Sequence, residues 1–410
     1  MGEMISKKVR VAYLVSHPIQ YQAPLLRRIA QEEDIDLRVF FASDFSVAGY
    51  RDEGFGVDVQ WDVDLLAGYR FEFLPKLRDQ RSTGFASMIN YGLWSRLGGG
   101  WKGEGCDVLW THGYWSVNAL HAIVAAKALG IPVLLRAETT LVDRERKRWK
   151  LAGRRIFFGM LRHLIDGVLA IGSLNRENWQ HYLGVDFPKY SMPYAVDNEF
   201  FQRRSREAAA GREQLRSELG LEAGRPVILF ASKLTERKRC VDLLDAYVSL
   251  VESGALASVP YLVIVGDGEE RQALEAKAAA SRLSGIRFCG FKNQSELPRY
   301  FDLASVFVLP SRHEPWGLIV NEVMNAARAV IVSGDVGCQP DLVTDGVEGC
   351  VFPVGDVAAL SEALLRVLGN DDTASRMGEQ ARKRIDGWNF EEDVRGLRRA
   401  IAAVTKKIEA

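Results

Sequence analysis

The chain has 410 residues, 47% of them hydrophobic, which suffices to bury large cores, and its length favours two domains or more. Lys plus Arg and Asp plus Glu both number 53, so no global basic field points to nucleic acid as a partner. The five cysteines, Cys106, Cys240, Cys289, Cys338 and Cys350, are scattered without a C-x-x-C pair. They read as reduced, mostly buried thiols of a cytosolic protein, with no metal cluster.

At the start, Met1-Gly2 with Ser6 matches a myristoylation pattern so short that chance accounts for it. The run VAYLVS is far shorter than the roughly 20 residues a bilayer needs, and it reads as a first strand. Five apolar runs (VRVAYLVS, DLRVFFAS, DVLWTHG, PVLLRAET, GVLAIG) alternate with helical stretches. Near-continuous Val, Ile and Leu separated by helices predicts a parallel sheet covered on both faces. Ligands of such sheets bind beyond the carboxyl ends of the strands. That rule singles out His17 and Gln20 after the first strand and His112 in VLWTHGY. A lone His is more often a hydrogen-bonded structural residue than a functional one.

Asp62-Val63-Asp64 imitates a metal-binding D-x-D and is read as chance, with no metal expected. Trp61, Trp94, Trp110 and Trp115 suit a sugar platform and core packing equally well. Residues 144–162 (RERKRWKLAGRRIFFGMLR) interleave basic residues with Trp149, Phe157 and Phe158. Such a helix suits peripheral contact with an anionic membrane on its inner face, or a packed helix with its Phe residues in the core. From about Phe200 to Gly224 a polar Arg/Glu/Ala stretch predicts a linker containing one short helix.

The runs PVILFAS, PYLVIVGDG, IRFCGF, SVFVLPS and AVIVSGD repeat the strand pattern and predict a second doubly wound domain. After its first strand, Lys233 to Arg239 carries four basic residues in seven positions. Taken alone this is as much a solvated charge run as a diphosphate grip. Gly266 and Gly268 form another turn at a strand end, weak evidence by itself. In HEPWGLIVNE, Glu314 precedes a predicted helix and Glu322 lies within it. The N–H groups near Trp316, Gly317 and Leu318 would seat a phosphate, and Gly317 lets it approach the backbone. Eight helical steps separate the two carboxylates by on the order of 12 Å, more than the about 5 to 9.5 Å of a glycoside hydrolase pair. Two grips on an extended ligand fit better than an acid and a base.

The order SKLTERK, VIVGDG, FCGF, LPSRHEPWGLIVNE, VSGDVGCQPDLVTDGVEGC, over roughly Pro226 to Asp356, resembles the C-terminal half of the retaining nucleotide-sugar glycosyltransferases of family 4. The resemblance implies an α/β GT-B fold, two doubly wound Rossmann-like domains facing a central cleft. Residues 1–200 would bind the acceptor and 201–385 the donor, with a final helix over 386–410 crossing back to the first domain. It further implies that Lys233 and Lys238 bind the donor phosphates, Glu314 the sugar hydroxyls and Glu322 the ribose. Phe291 would lie by the base, Gly317 and Leu318 by the phosphates, and His112 near the reacting sugar. Lys233 replaces the usual arginine, and Arg239 stands where a glycine is usual. The start SHPIQYQ resembles a subgroup that lacks the glycine-rich loop common at that position.

The expected activity is a retaining transfer of a sugar from a UDP-, GDP- or ADP-linked donor to a hydroxyl of a glycan or lipid-linked acceptor, with no cofactor required, in the cytoplasm. An epimerase or hydrolase of the same fold, or a non-catalytic sugar-nucleotide binder, would keep the donor grip and need no acceptor.

Overall fold

The structure is a computed structural model describing residues 8–52, 54–99, 105–141 and 148–405. The Met1–Ser6 pattern, residues 144–147 and the side chains of Arg148 and Trp149 lie outside the described residues. The chain forms two compact units, one of Met1–Tyr50, Val63–Tyr194 and Phe390–Ala410, the other of Arg51–Asp62 and Ala195–Asn389.

The first unit is built on a seven-stranded parallel sheet. Across the sheet the strands run Lys189–Ser191, Gly167–Ala170, Val133–Arg136, Val108–His112, Val9–Val15, Ile35–Phe41 and Arg70–Phe73. The central strands are buried along almost their whole length, as their uninterrupted β-branched and leucine content requires of a sheet covered on both faces. One cover is the C-terminal helix Phe390–Thr405. Its Val394, Leu397, Ile401 and Val404 recur at helical spacing and pack on Val11, Leu134 and Leu169. Asp393 in its first turn pairs with Arg136 at 3.0 Å, both side chains fully enclosed.

The second unit carries a six-stranded parallel sheet in the order Ile286–Phe288, Tyr261–Val265, Val227–Ala231, Val306–Leu309, Ala329–Ser333 and Gly349–Phe352. Helices Cys240–Glu252 and Val357–Leu368 bury Leu243, Leu244, Tyr247, Leu360, Leu364 and Val367 against it.

Two sequence expectations need correction. The polar stretch after Phe200 is no linker with one short helix. It forms helices Asn198–Ala208 and Arg212–Glu218, the first capped by Asp197, and Arg212 holds Asp302 of helix Leu297–Leu303 through two hydrogen bonds of 2.8 and 2.6 Å. Arg51–Asp62 also leaves its sequence neighbours. It belongs to the second unit and holds strand Val57–Val59 and all but the first residue of its partner strand, Tyr50–Asp52.

Candidate functional site

In the second unit the chemistry-bearing residues gather at the carboxyl ends of the strands. Lys233 and Lys238 follow Val227–Ala231, and Glu314 follows Val306–Leu309. Between these neighbouring strands, Lys238 Nζ lies 2.5 Å from Glu314 Oε2, and Arg237 Nη1 reaches the same oxygen at 3.2 Å. Lys238 and Glu314 are both buried. Desolvation lowers the Lys238 pKa, with the Glu314 carboxylate opposing it. Arg239, where a glycine was anticipated, keeps a glycine-like φ of 50° and holds Asp242 through both nitrogens of its fork.

Lys233 Nζ lies 2.7 Å from Asp52 Oδ1. Gly266 and Gly268 bring their loop against the backbone of the Lys233 segment, where a Cβ would meet the carbonyl oxygens of Ser232 and Leu234 at 1.9 and 2.4 Å. Their shown role is this close packing. Phe291 sets its ring edge-on to Phe55 at 4.9 Å.

The loop carrying Glu314 is clamped by Glu314 N–H to Asp335 O (3.1 Å) and Cys338 N–H to Trp316 O (2.9 Å). Gly317 then opens the helix at φ 92°, a left-handed conformation that glycine adopts without strain. That helix, Leu318–Met324, has seven residues and gives way to a turn at Asn325–Ala327, where Ala327 takes a φ of 55°. A phosphate held at Gly317 and Leu318 would therefore meet local N–H groups more than a long dipole. The Trp316 side chain turns inward, donating to Asn321 Oδ1 at 3.0 Å and stacking on Trp388 at 5.6 Å. Glu322 is half-buried without a partner among the described residues, and desolvation pushes its carboxyl to about 8.

The first unit has its own cluster around His112, at the end of strand Val108–His112. Its ring receives Gln22 Nε2 at 3.1 Å, while Gln22 Oε1 accepts from the Tyr13 hydroxyl at 2.7 Å. Gln22, not Gln20, is the residue of the HPIQYQ segment that reaches His112. His112 Nε2 also stands 3.8 Å from Glu138 Oε1, an oxygen that accepts from Tyr21 at 2.9 Å and from the Tyr194 hydroxyl. Burial pushes the Glu138 carboxyl up, but His112 and the two tyrosine hydroxyls outweigh it and hold it well below the usual carboxylate range. The Glu138 side chain keeps 37% exposure, so an ionised carboxylate faces solvent from a wall of fixed donors. Sequence reasoning missed Glu138, although it lies two residues beyond the end of strand Val133–Arg136, where the strand-end rule points.

His17 bonds Ser16 Oγ at 2.8 Å and stacks near Phe45. Desolvation, with a smaller contribution from His112, lowers its pKa to about 4, so it is neutral at physiological pH. A hollow lies against His112, lined also by Ser16, Thr83, Met88, Trp115 and Asn118. Trp115 is 65% exposed, whereas Trp110 is buried in the core and serves no surface platform. On helix Arg148–Leu161 the aromatic face belongs to the core, with Phe158 buried and Phe157 against Tyr114 and Trp115. Its exposed apolar residues are Leu151, Ile156 and Met160. Among the described residues no helix is long and apolar enough to cross a membrane, and no group of three or more His, Cys, Asp or Glu is arranged to hold a metal.

Residues 211–384 match the family model described as "Glycosyl transferases group 1". The chain is 28% identical over 193 residues to alpha-D-kanosaminyltransferase of Streptomyces kanamyceticus, covering 47% of this chain and 48% of that protein. It is 31% identical over 180 residues to alpha-maltose-1-phosphate synthase of Mycobacterium tuberculosis H37Rv, covering 41% and 45%. The chain spans about half the length of the curated relatives it matches. Among solved structures, sucrose-phosphate synthase of Thermosynechococcus elongatus superposes with a TM-score of 0.67 at 18% identity, covering 98% of this chain and all of that one. Anabaena HepE in complex with UDP and glucose gives 0.68 at 14%, covering 96% and 100%. At these identities the likeness is one of fold, the GT-B type.

Proposed function

We propose, from the premise that the chain belongs through residues 211–384 to the group 1 glycosyltransferases, that it moves a sugar from a nucleoside-diphosphate donor to an acceptor hydroxyl with retention at the anomeric carbon. The observation that carries this reading is the convergence of Lys238, Arg237 and Glu314 at adjoining strand ends, with Lys233 on the same loop. A departing diphosphate needs fixed cations and oriented N–H groups that meet the charge as it develops. Lys233, Lys238 and the backbone at Gly317 and Leu318 supply both. Glu314, held by Lys238, is oriented to accept from sugar hydroxyls, and Glu322 from the ribose. Gly266, Gly268 and Phe291 border the nucleotide. HepE, a fold neighbour, binds UDP, which is consistent with a diphosphate ligand here.

The acceptor belongs to the first unit. His112 and Glu138 would orient its hydroxyl, with His17 and Gln20 at the same strand end. Neither glutamate of the second unit acts as a nucleophile in this reading. The leaving phosphate takes the acceptor's proton on the face from which the sugar–phosphate bond breaks. No metal or cofactor is required. A glycan or lipid-linked acceptor and peripheral contact with an anionic membrane, in the cytoplasm, complete the proposal. The membrane contact rests on the exposed Leu151, Ile156 and Met160 beside Lys150, Arg155 and Arg162.

The test is a thermal-shift panel of UDP-, GDP- and ADP-sugars, since a ligand bound only by the folded state raises its melting temperature. Nucleotide release with and without candidate glycans follows. Acceptor-dependent release supports a transferase. Release independent of acceptor indicates a hydrolase or epimerase, and binding without release an idle binder.

A further inference from the structure

The segment Arg51–Asp62 lies in sequence among the strands of the first unit, yet it packs within the second, along the edge where donor binding is proposed. Its contacts are specific. Asp52 Oδ1 accepts from the backbone N–H of Gly54 (2.9 Å) and of Phe55 (3.0 Å), and from Lys233 Nζ (2.7 Å). The Phe55 ring faces the same ammonium with its centroid 4.8 Å away and meets Phe291 edge-on at 4.9 Å. Further along, Gln60 O accepts from Asn293 Nδ2 at 2.6 Å, and Asp62 accepts from the Ser295 amide at 3.2 Å and from its hydroxyl. Asp52 is half-buried, with 13% side-chain exposure, and desolvation of its carboxyl is outweighed by Lys233 and the two amides, which lower its pKa.

We propose that Asp52 is a donor-affinity residue, whose carboxylate occupies Lys233 in place of the donor's diphosphate and yields the ammonium when donor binds. The inference rests on the reading of Lys233 as a phosphate ligand. The turn at Gly54 and Phe55 fixes the carboxylate before any ligand arrives, so its hold on Lys233 needs no further ordering and competes directly with a phosphate oxygen. Asp52→Asn keeps the oxygen that the two amides need and removes only the charge.

The experiment is calorimetric titration of the full chain with UDP, GDP and ADP, taking forward whichever binds, in wild type, Asp52→Asn and Lys238→Ala. Asp52→Asn is expected to bind that diphosphate roughly five-fold more tightly, the size of one partly exposed ion pair removed from competition. Hydrogen exchange in wild type is expected to quicken across 51–57 when the same diphosphate is added. Unchanged or weaker binding by Asp52→Asn, with wild type binding and Lys238→Ala impaired, overturns the role of Asp52 and leaves the donor site intact. No diphosphate binding by wild type, or equal binding by Lys238→Ala, instead overturns the donor reading and removes the premise for Asp52.

Discussion

Lys238 Nζ and Glu314 Oε2, 76 residues apart in the chain, stand 2.5 Å apart in the second unit. Both side chains are buried, and each is the other's nearest ionic partner. A donor would thus meet a sugar-facing carboxylate and a phosphate-facing ammonium already locked in relative position.

Removing either partner should be costly, because Glu314→Gln leaves Lys238 buried without its carboxylate and Lys238→Met leaves Glu314 with Arg237 alone of this pair of cations. Lys238→Met and Glu314→Gln are each expected to lower stability by about 3 kcal/mol, and the double variant by about 1–3 kcal/mol less than their sum. Denaturant unfolding of all four proteins measures the coupling. Simple additivity would refute the pair as a unit. Donor-dependent turnover should fall by roughly two orders of magnitude in Lys238→Met.

Glu322 gives a pH signature. Its carboxyl is raised from 4.5 to about 8 by desolvation, so the folded state prefers it neutral. That preference adds stability below the unfolded value and is lost as pH rises through the folded one. Relative to Glu322→Gln, wild type is expected to lose melting temperature progressively between pH 4.5 and about 8. Parallel melting curves across that window would contradict it.

The Arg136–Asp393 pair ties the last helix to the first unit's sheet with both side chains enclosed. Asp393→Ala leaves Arg136 buried beside the carbonyls of Met192 and Pro193, and a loss of about 3–5 kcal/mol is expected. Unfolding by urea reads it directly, and a loss under about 1 kcal/mol would mean that water reaches the vacated position.

Glu138 tests the proposed division between acceptor chemistry and donor binding. Glu138→Gln preserves shape but weakens the hold on His112. Transfer is expected to slow by roughly ten- to a hundred-fold, while nucleotide affinity, proposed to reside in the other unit, is expected to stay at the wild-type value. A matched loss of nucleotide affinity would argue against this division.

Sedimentation with vesicles tests the membrane proposal. Wild type should pellet with vesicles rich in anionic lipid, and Ile156→Glu, which charges a 65% exposed position, should stay in the supernatant. Equal pelleting of both would place any contact elsewhere.

Much of this architecture was legible in the residues. Val227–Ala231 and Val306–Leu309 are buried throughout, and a run that must be covered on both faces shows it in composition. Gly317 and Glu322 announced a loop-to-helix turn for the same local reason, since φ 92° and helical spacing are properties of adjacent residues. The Trp residues were not legible, because an indole satisfies a core and a ligand surface equally. Trp110 and Trp316 went to the core and Trp115 to the surface.

By itself the sequence determined two doubly wound α/β halves and a set of cations, glycines and carboxylates at strand ends, because pattern and turn chemistry are written within a few neighbouring residues. Only the tertiary structure decided the pairings: Lys238 with Glu314, Gln22 and Glu138 with His112, and Lys233 with Asp52. Ion pairs and hydrogen bonds depend on ångström distances between residues far apart in the chain, and those distances exist only once the sheets have fixed the order of their strands.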